Sequence, residues 1–184
     1  MHTPDPSVER VTSTPARGWA VLLLFRAQRS SVILVSYTFG LFLPFIRDDL
    51  DISLLQAGLL QGVWWVTAAT FALPFSAWLS RFRPVPVVLL SLILALPFLF
   101  MQAVATSFSF LILTRFCFVL FHVMATPGGT LLLQQWAAPR QYAQINSVGL
   151  SQHSVILALA VSTSALSITV VGSWRIAYLL IGGL

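Results

Sequence analysis

FSFLILTRFCFVLFHVMATPGGTLLLQQWAAPR, residues 108–140, is the stretch whose reading decides the fold. Its apolar part is long enough to cross a bilayer, which takes about 20 residues of α-helix. One charge, Arg115, lies inside that part, and the stretch closes on a polar turn with Pro139 and Arg140. A charge within an apolar helix is costly unless a carbonyl, a polar side chain or water meets it. His122 follows Arg115 by seven residues. That is two helical turns, so both side chains project from a similar face.

The rest of the chain has the same character. Of its 184 residues, 58% are hydrophobic and only 8% are charged; the mean hydropathy is +0.89. Soluble domains carry about 25% charged residues. The composition therefore reads as an all-α integral membrane protein. There are ten arginines, no lysine and five acids, for a net charge of +5. After Asp51 no carboxylate occurs again. The arginines lie mostly in short segments between apolar runs, where they orient a chain in a membrane; they do not point to nucleic acid. No Cys/His metal spacing, phosphate-binding glycine loop, carboxylate pair or nucleophile elbow is present. The expectation is no enzyme, no metal and no cofactor.

Six apolar runs are expected as spans: 19–46, 54–78, 85–105, 108–134, 146–171 and an incomplete sixth, 174–184. Residues 1–18 read as a polar, proline-rich tail that stays disordered. The last eleven residues would cover only about 17 Å as a helix, roughly half a span. The expectation is a truncated chain. Five arginines (Arg10, Arg17, Arg81, Arg83, Arg140) fall on one side of this topology. The other side holds Arg47 and Arg175, with Arg47 offset by three aspartates. The positive-inside rule then puts the N-terminus in the cytoplasm and the protein, multi-pass, in the plasma membrane. The connections are too short to hold a domain, so function must lie within the membrane.

The spacing Arg115, Pro127, Trp136, Pro139-Arg140 resembles the fourth helix of major facilitator superfamily transporters. PFIRDDLDISLLQAGLL (44–60) is similar to that family's junction between helices one and two, and GSWRIAYLLIGG (172–183) to its start of helix six. The resemblance covers nearly everything beyond the tail and implies the N-terminal six-helix half of such a bundle. In the loop after helix two only Arg81 of the family's motif is kept, and Ser80 stands where an acid is usual. Val119, Phe121 and Val123 replace glycines after the helix-four arginine. Val161-Ser162 replaces the Gly-Pro pair of antiporters, and Val35-Ser36 stand where multidrug members carry an acid.

The resemblance further implies that helices one, two, four and five line a cavity while three and six face lipid, with solute binding between two six-helix halves near the bilayer midplane. Arg115 either faces that cavity or is a structural arginine held by carbonyls and polar groups. His122 and His153 either titrate or bind solute, or are neutral packing residues. Asn146 precedes His153 on the same polar stripe. Gln61 and Tyr37 are cavity candidates on helices two and one. Pro127, Gly128 and Gly129 are expected to bend or loosen helix four, and they join Arg81 as conformational candidates.

The function expected is secondary active transport of a small solute by alternating access, with the lipid bilayer and a C-terminal six-helix half, missing from this chain, as partners. The spans without carboxylates favour an anionic or neutral solute, or coupling carried by the other half. The alternative is a non-transporting six-span or truncated membrane interaction protein.

Overall fold

The computed structural model describes residues 15–79 and 81–182. Most of the segment read as a tail, together with Ser80, Gly183 and Leu184, lies outside the described residues. Those described form six α-helices and one short 3-10 turn: α1 (Ala16–Leu50), α2 (Leu54–Leu79), α3 (Pro84–Ala103), α4 (Phe108–Trp136), the 3-10 turn Pro139–Gln141, α5 (Tyr142–Val171) and α6 (Trp174–Gly182). Among the described residues, four helical stretches are long and apolar enough to cross a membrane: Leu54–Leu79, Val85–Ala103, Phe108–Trp136 and Pro139–Val171.

Local chemistry sets the helix ends. α1 starts at Ala16, three residues inside the segment read as tail, and runs on through Arg26 and Arg29. It stops where Asp51 turns into the left-handed region (φ 49°), its N–H closing on the Arg47 carbonyl. Ser53 and Gln56 then form a reciprocal capping box at the start of α2: Gln56 N donates to Ser53 Oγ at 3.2 Å, and Ser53 N donates to Gln56 Oε1 at 2.8 Å. This satisfies two of the amides that a helix start leaves open. Ser107 Oγ accepts from Phe110 N at 3.4 Å and caps α4. Gly172, with φ 69°, ends α5 in a conformation that glycine adopts without strain.

Helix α4 is the centre. It packs against α3, α2 and α1, while α5 packs on α1, and α6 on α1, α3 and α5. The main apolar cluster gathers Phe39, Phe42 and Ile46 of α1, Leu60 of α2, Leu99 of α3, Leu111, Phe118 and Val119 of α4, and Tyr178 and Ile181 of α6. A second, small cluster of Leu22, Ala137 and Ile145 closes the opposite end. The outward face of α3 is apolar, with Leu89, Leu90, Ile93 and Phe100 exposed. Exposed apolar residues at this density suit contact with lipid tails rather than water.

The two ends of the bundle are tied differently. At the Asp49 end, the carboxylate of Asp49 accepts from Arg175 Nη2 at 2.7 Å and from Trp174 Nε1 at 3.1 Å. Arg175 Nη1 also donates to the carbonyls of Ala103 at 3.0 Å and Ala105 at 2.6 Å. One arginine thus joins α1, α6 and the α3–α4 turn. The hydrogen bond from Arg175 holds the Asp49 carboxyl below the usual carboxylate range. At the other end, Arg26 donates to the carbonyl of Ile145 and ties α1 to α5.

Candidate functional site

Arg115 sits about 10 Å along α4 from its start, at 1.5 Å per residue, and is 1% exposed. Four other helices meet it. Its Nε donates to the Leu60 carbonyl of α2 at 3.2 Å, and Nη1 donates to Gln102 Oε1 of α3 at 3.4 Å. The guanidinium lies over the Phe39 ring of α1, with Cζ 3.4 Å from the ring centroid. Tyr178 of α6 donates its hydroxyl to the same Gln102 oxygen at 3.2 Å. Gln102 is itself anchored, its Nε2 donating to Phe98 O at 3.2 Å. The helix starts of α2, α4 and α6 and the end of α3 all lie at this end of the bundle, which is why they reach one point. Neutral acceptors and an aromatic face therefore solvate the charge where no carboxylate does. Helices α3 and α6, expected to face lipid, each contribute one side chain to this cluster.

Further along the bundle, α1, α2, α4 and α5 enclose a cavity of about 210 Å³. It is lined by Arg29, Ile33, Ser36 and Tyr37 of α1, Gln61, Trp64 and Trp65 of α2, Arg115 and His122 of α4, and His153 of α5. Five of the six cavity candidates thus come together here: Arg115, His122, His153, Gln61 and Tyr37. The sixth, Asn146, lines an adjoining space of about 490 Å³ between α1, α4 and α5. Arg29, Ile33 and His153 border both, so the two form one cleft along α1. Pairs of rings shape its walls. Trp64 lies beside His122 with centroids 5.0 Å apart and planes tilted by 31°. Tyr37 meets His153 edge-on at 5.8 Å, its hydroxyl 3.5 Å from Nε2.

Three buried polar atoms among the described residues have no hydrogen-bond partner: Ser36 Oγ, Gln61 Oε1 and His122 Nδ1. All three residues line the smaller cavity. A buried polar atom without a partner costs about 1–3 kcal/mol, and such atoms are uncommon. Three around one space mark it as a place for a polar occupant, water or solute. Among the described residues no carboxylate lines either space, and no three His, Cys, Asp or Glu side chains come together as metal ligands.

Of the conformational candidates, Gly129 lines the larger space, and none lines the smaller cavity. Pro127 sits inside α4, where its missing N–H frees the Val123 carbonyl from the helical ladder. Gly128 and Gly129 are buried after it. A Cβ on Gly129 would fall on the Phe25 ring, and one on Gly149 on the Arg26 guanidinium. Glycine at these two points lets α4 and α5 close against α1. Arg81 is exposed in the α2–α3 turn.

Several residues of the cleft and of the Arg115 cluster escape a linear reading. Arg26 and Arg29 look like arginines snorkelling from a helix end, yet both border the larger space. Gln152 donates to Ser30 Oγ at 2.5 Å and links α5 to α1. Gln102 and Tyr178 stand in runs that look wholly apolar. The signal available for them is weak: a lone polar group in an apolar helix that must find a partner.

A comparison with curated proteins returns no match. The profile of the Major Facilitator Superfamily matches residues 29–184.

Proposed function

Because the chain belongs to the Major Facilitator Superfamily, a family of membrane transporters, we propose that it carries out secondary active transport of a small solute by alternating access. The solute binds in the cavity between α1, α2, α4 and α5. One observation carries this reading: Ser36, Gln61 and His122 line one cavity, each with an unpartnered polar atom. A cavity with a few convergent polar groups and aromatic walls is the usual form of a small-molecule site. The family's transport cycle rocks two six-helix bundles around such a site, so a second six-helix half is the partner of this one. The first five helices act as spans, and α6 begins an incomplete sixth. The arginine distribution supports a cytoplasmic N-terminus and a multi-pass protein of the plasma membrane.

Gly129 under Phe25 and Gly149 under Arg26 support the moving part of the cycle. They let the first half of α1 lie close on α4 and α5, across the larger space. Opening that seam exposes the cavity from the Arg26 end, while the Asp49–Arg175 tie keeps the other end closed.

The test is solute uptake by cells expressing the gene, compared with Gln61→Leu and His122→Phe variants of equal surface abundance. The expected result is at least a tenfold loss of uptake in each. Uptake unchanged by both substitutions would overturn the cavity assignment, and no uptake of any solute in a broad panel would favour a non-transporting interaction protein.

A further inference from the structure

The cleft is positively charged and holds nothing to balance that charge. Arg26, Arg29 and Arg115 border it, and among the described residues no carboxylate does. The three arginines differ in what they already hold. Arg115 is occupied by the Leu60 carbonyl, by Gln102 and by the face of Phe39. Arg26 is occupied by the Ile145 carbonyl. Among the described residues Arg29 has no hydrogen-bond or ion-pair partner, and it stands where the two spaces join.

We propose that the transported solute is a small organic anion with a flat apolar body, its charged group bound at Arg29. This rests on the transport reading above and names the class of solute for that site. Arg29 is exposed to the cleft, so its guanidinium is open to an occupant, and a bidentate acid group is its natural complement. Arg115 and Arg26 add a field of the same sign, which attracts anions and repels cations. The unpartnered atoms fit the same occupant: the Ser36 hydroxyl, the Nδ1–H tautomer of His122 and, after rotation of its amide, Gln61 Nε2 all donate. The rings of Trp64 and Tyr37 offer apolar walls for the body of the molecule.

The proposal is tested with three probes of one shape: benzoate, benzyl alcohol and benzylammonium. They are titrated against the purified protein in phosphatidylcholine nanodiscs and read by quenching of tryptophan fluorescence, since Trp64 and Trp65 line the cavity. The expected result is benzoate binding at least tenfold tighter than benzyl alcohol, with benzylammonium weakest. Arg29→Gln, checked to melt as the unsubstituted protein does, removes that preference, and Arg29→Lys keeps part of it. Equal affinity for the three probes, or a preference that survives Arg29→Gln, overturns the anion proposal while leaving a solute site in place. Saturable binding of none of them overturns the cavity reading itself, and the proposal with it. Loss of benzoate binding when phosphatidylglycerol replaces phosphatidylcholine would assign Arg29 to a lipid headgroup and overturn the proposal for a solute.

Discussion

Gln102 Oε1 lies 3.4 Å from Arg115 Nη1 and 3.2 Å from the Tyr178 hydroxyl, and accepts from both. One neutral oxygen on α3 therefore satisfies the buried cation of α4 and the buried phenol of α6. Among the described residues, removing it takes the only acceptor of the Tyr178 hydroxyl and one of the two acceptors of Arg115, while removing Arg115 strands neither Gln102 nor Tyr178.

Gln102→Leu is expected to destabilise the bundle by about 2–4 kcal/mol, because a buried hydroxyl loses its acceptor and a buried charge loses one of its two. Arg115→Met, of similar length and without charge, is expected to cost no more than about 1 kcal/mol. Thermal unfolding in detergent checks the order. Arg115→Met proving the more damaging of the two would mean that the arginine does more than fill a satisfied site.

Ser36→Ala and Gln61→Leu remove unpartnered atoms, not hydrogen bonds. Stability should stay within about 1 kcal/mol or rise, since the desolvation cost of those atoms disappears. Uptake should fall at the same time. A parallel loss of stability and uptake would show instead that these groups hold the fold.

Gly129→Ala is expected to destabilise by about 1–3 kcal/mol through collision with Phe25. Phe25→Ala in the same chain should recover most of that loss. The two substitutions touch one contact, so a double-mutant cycle isolates it. Simple additivity of the two penalties would contradict the contact.

Asp49 carries the pH dependence of the Asp49 end. Arg175 lowers its folded-state pKa, so the tie contributes stability above the unfolded value of about 3.9. That contribution is present at neutral pH and is lost as pH falls through the lowered folded value. The Asp49 side chain is 42% exposed, so solvent screening keeps the effect to about 1 kcal/mol. The melting temperature of the unsubstituted protein should approach that of Asp49→Asn as pH falls from 7 to 3. A constant gap between them would remove the carboxylate from the account.

The elements were legible from composition, the site only in part. Apolar length and the short polar breaks mark the helices, and the Arg115–Pro127–Trp136 spacing places the family register in α4. The periodicity of one helix also puts Arg115 and His122 on a similar face. Which helix meets that face is another matter. Arg115 reaches Leu60 across 55 positions, and Tyr178 reaches Gln102 across 76. No local pattern encodes such pairings, because helices that are apolar nearly all round carry little rotational signal. Arg29 shows the same gap: a residue beside an apolar run looks like an interfacial anchor until α5 is seen to lie across it.

By itself, then, the sequence determined a helical membrane chain with no side-chain carboxylate after Asp51 and the register of its fourth helix, since apolar length, charge and spacing are local properties. Only the tertiary structure decided that Arg115 is occupied, that Arg29 has no hydrogen-bond or ion-pair partner among the described residues, and that Ser36, Gln61 and His122 share one cavity. Those facts depend on how helices rotate and pack against one another, which is settled by contacts between residues far apart in the chain.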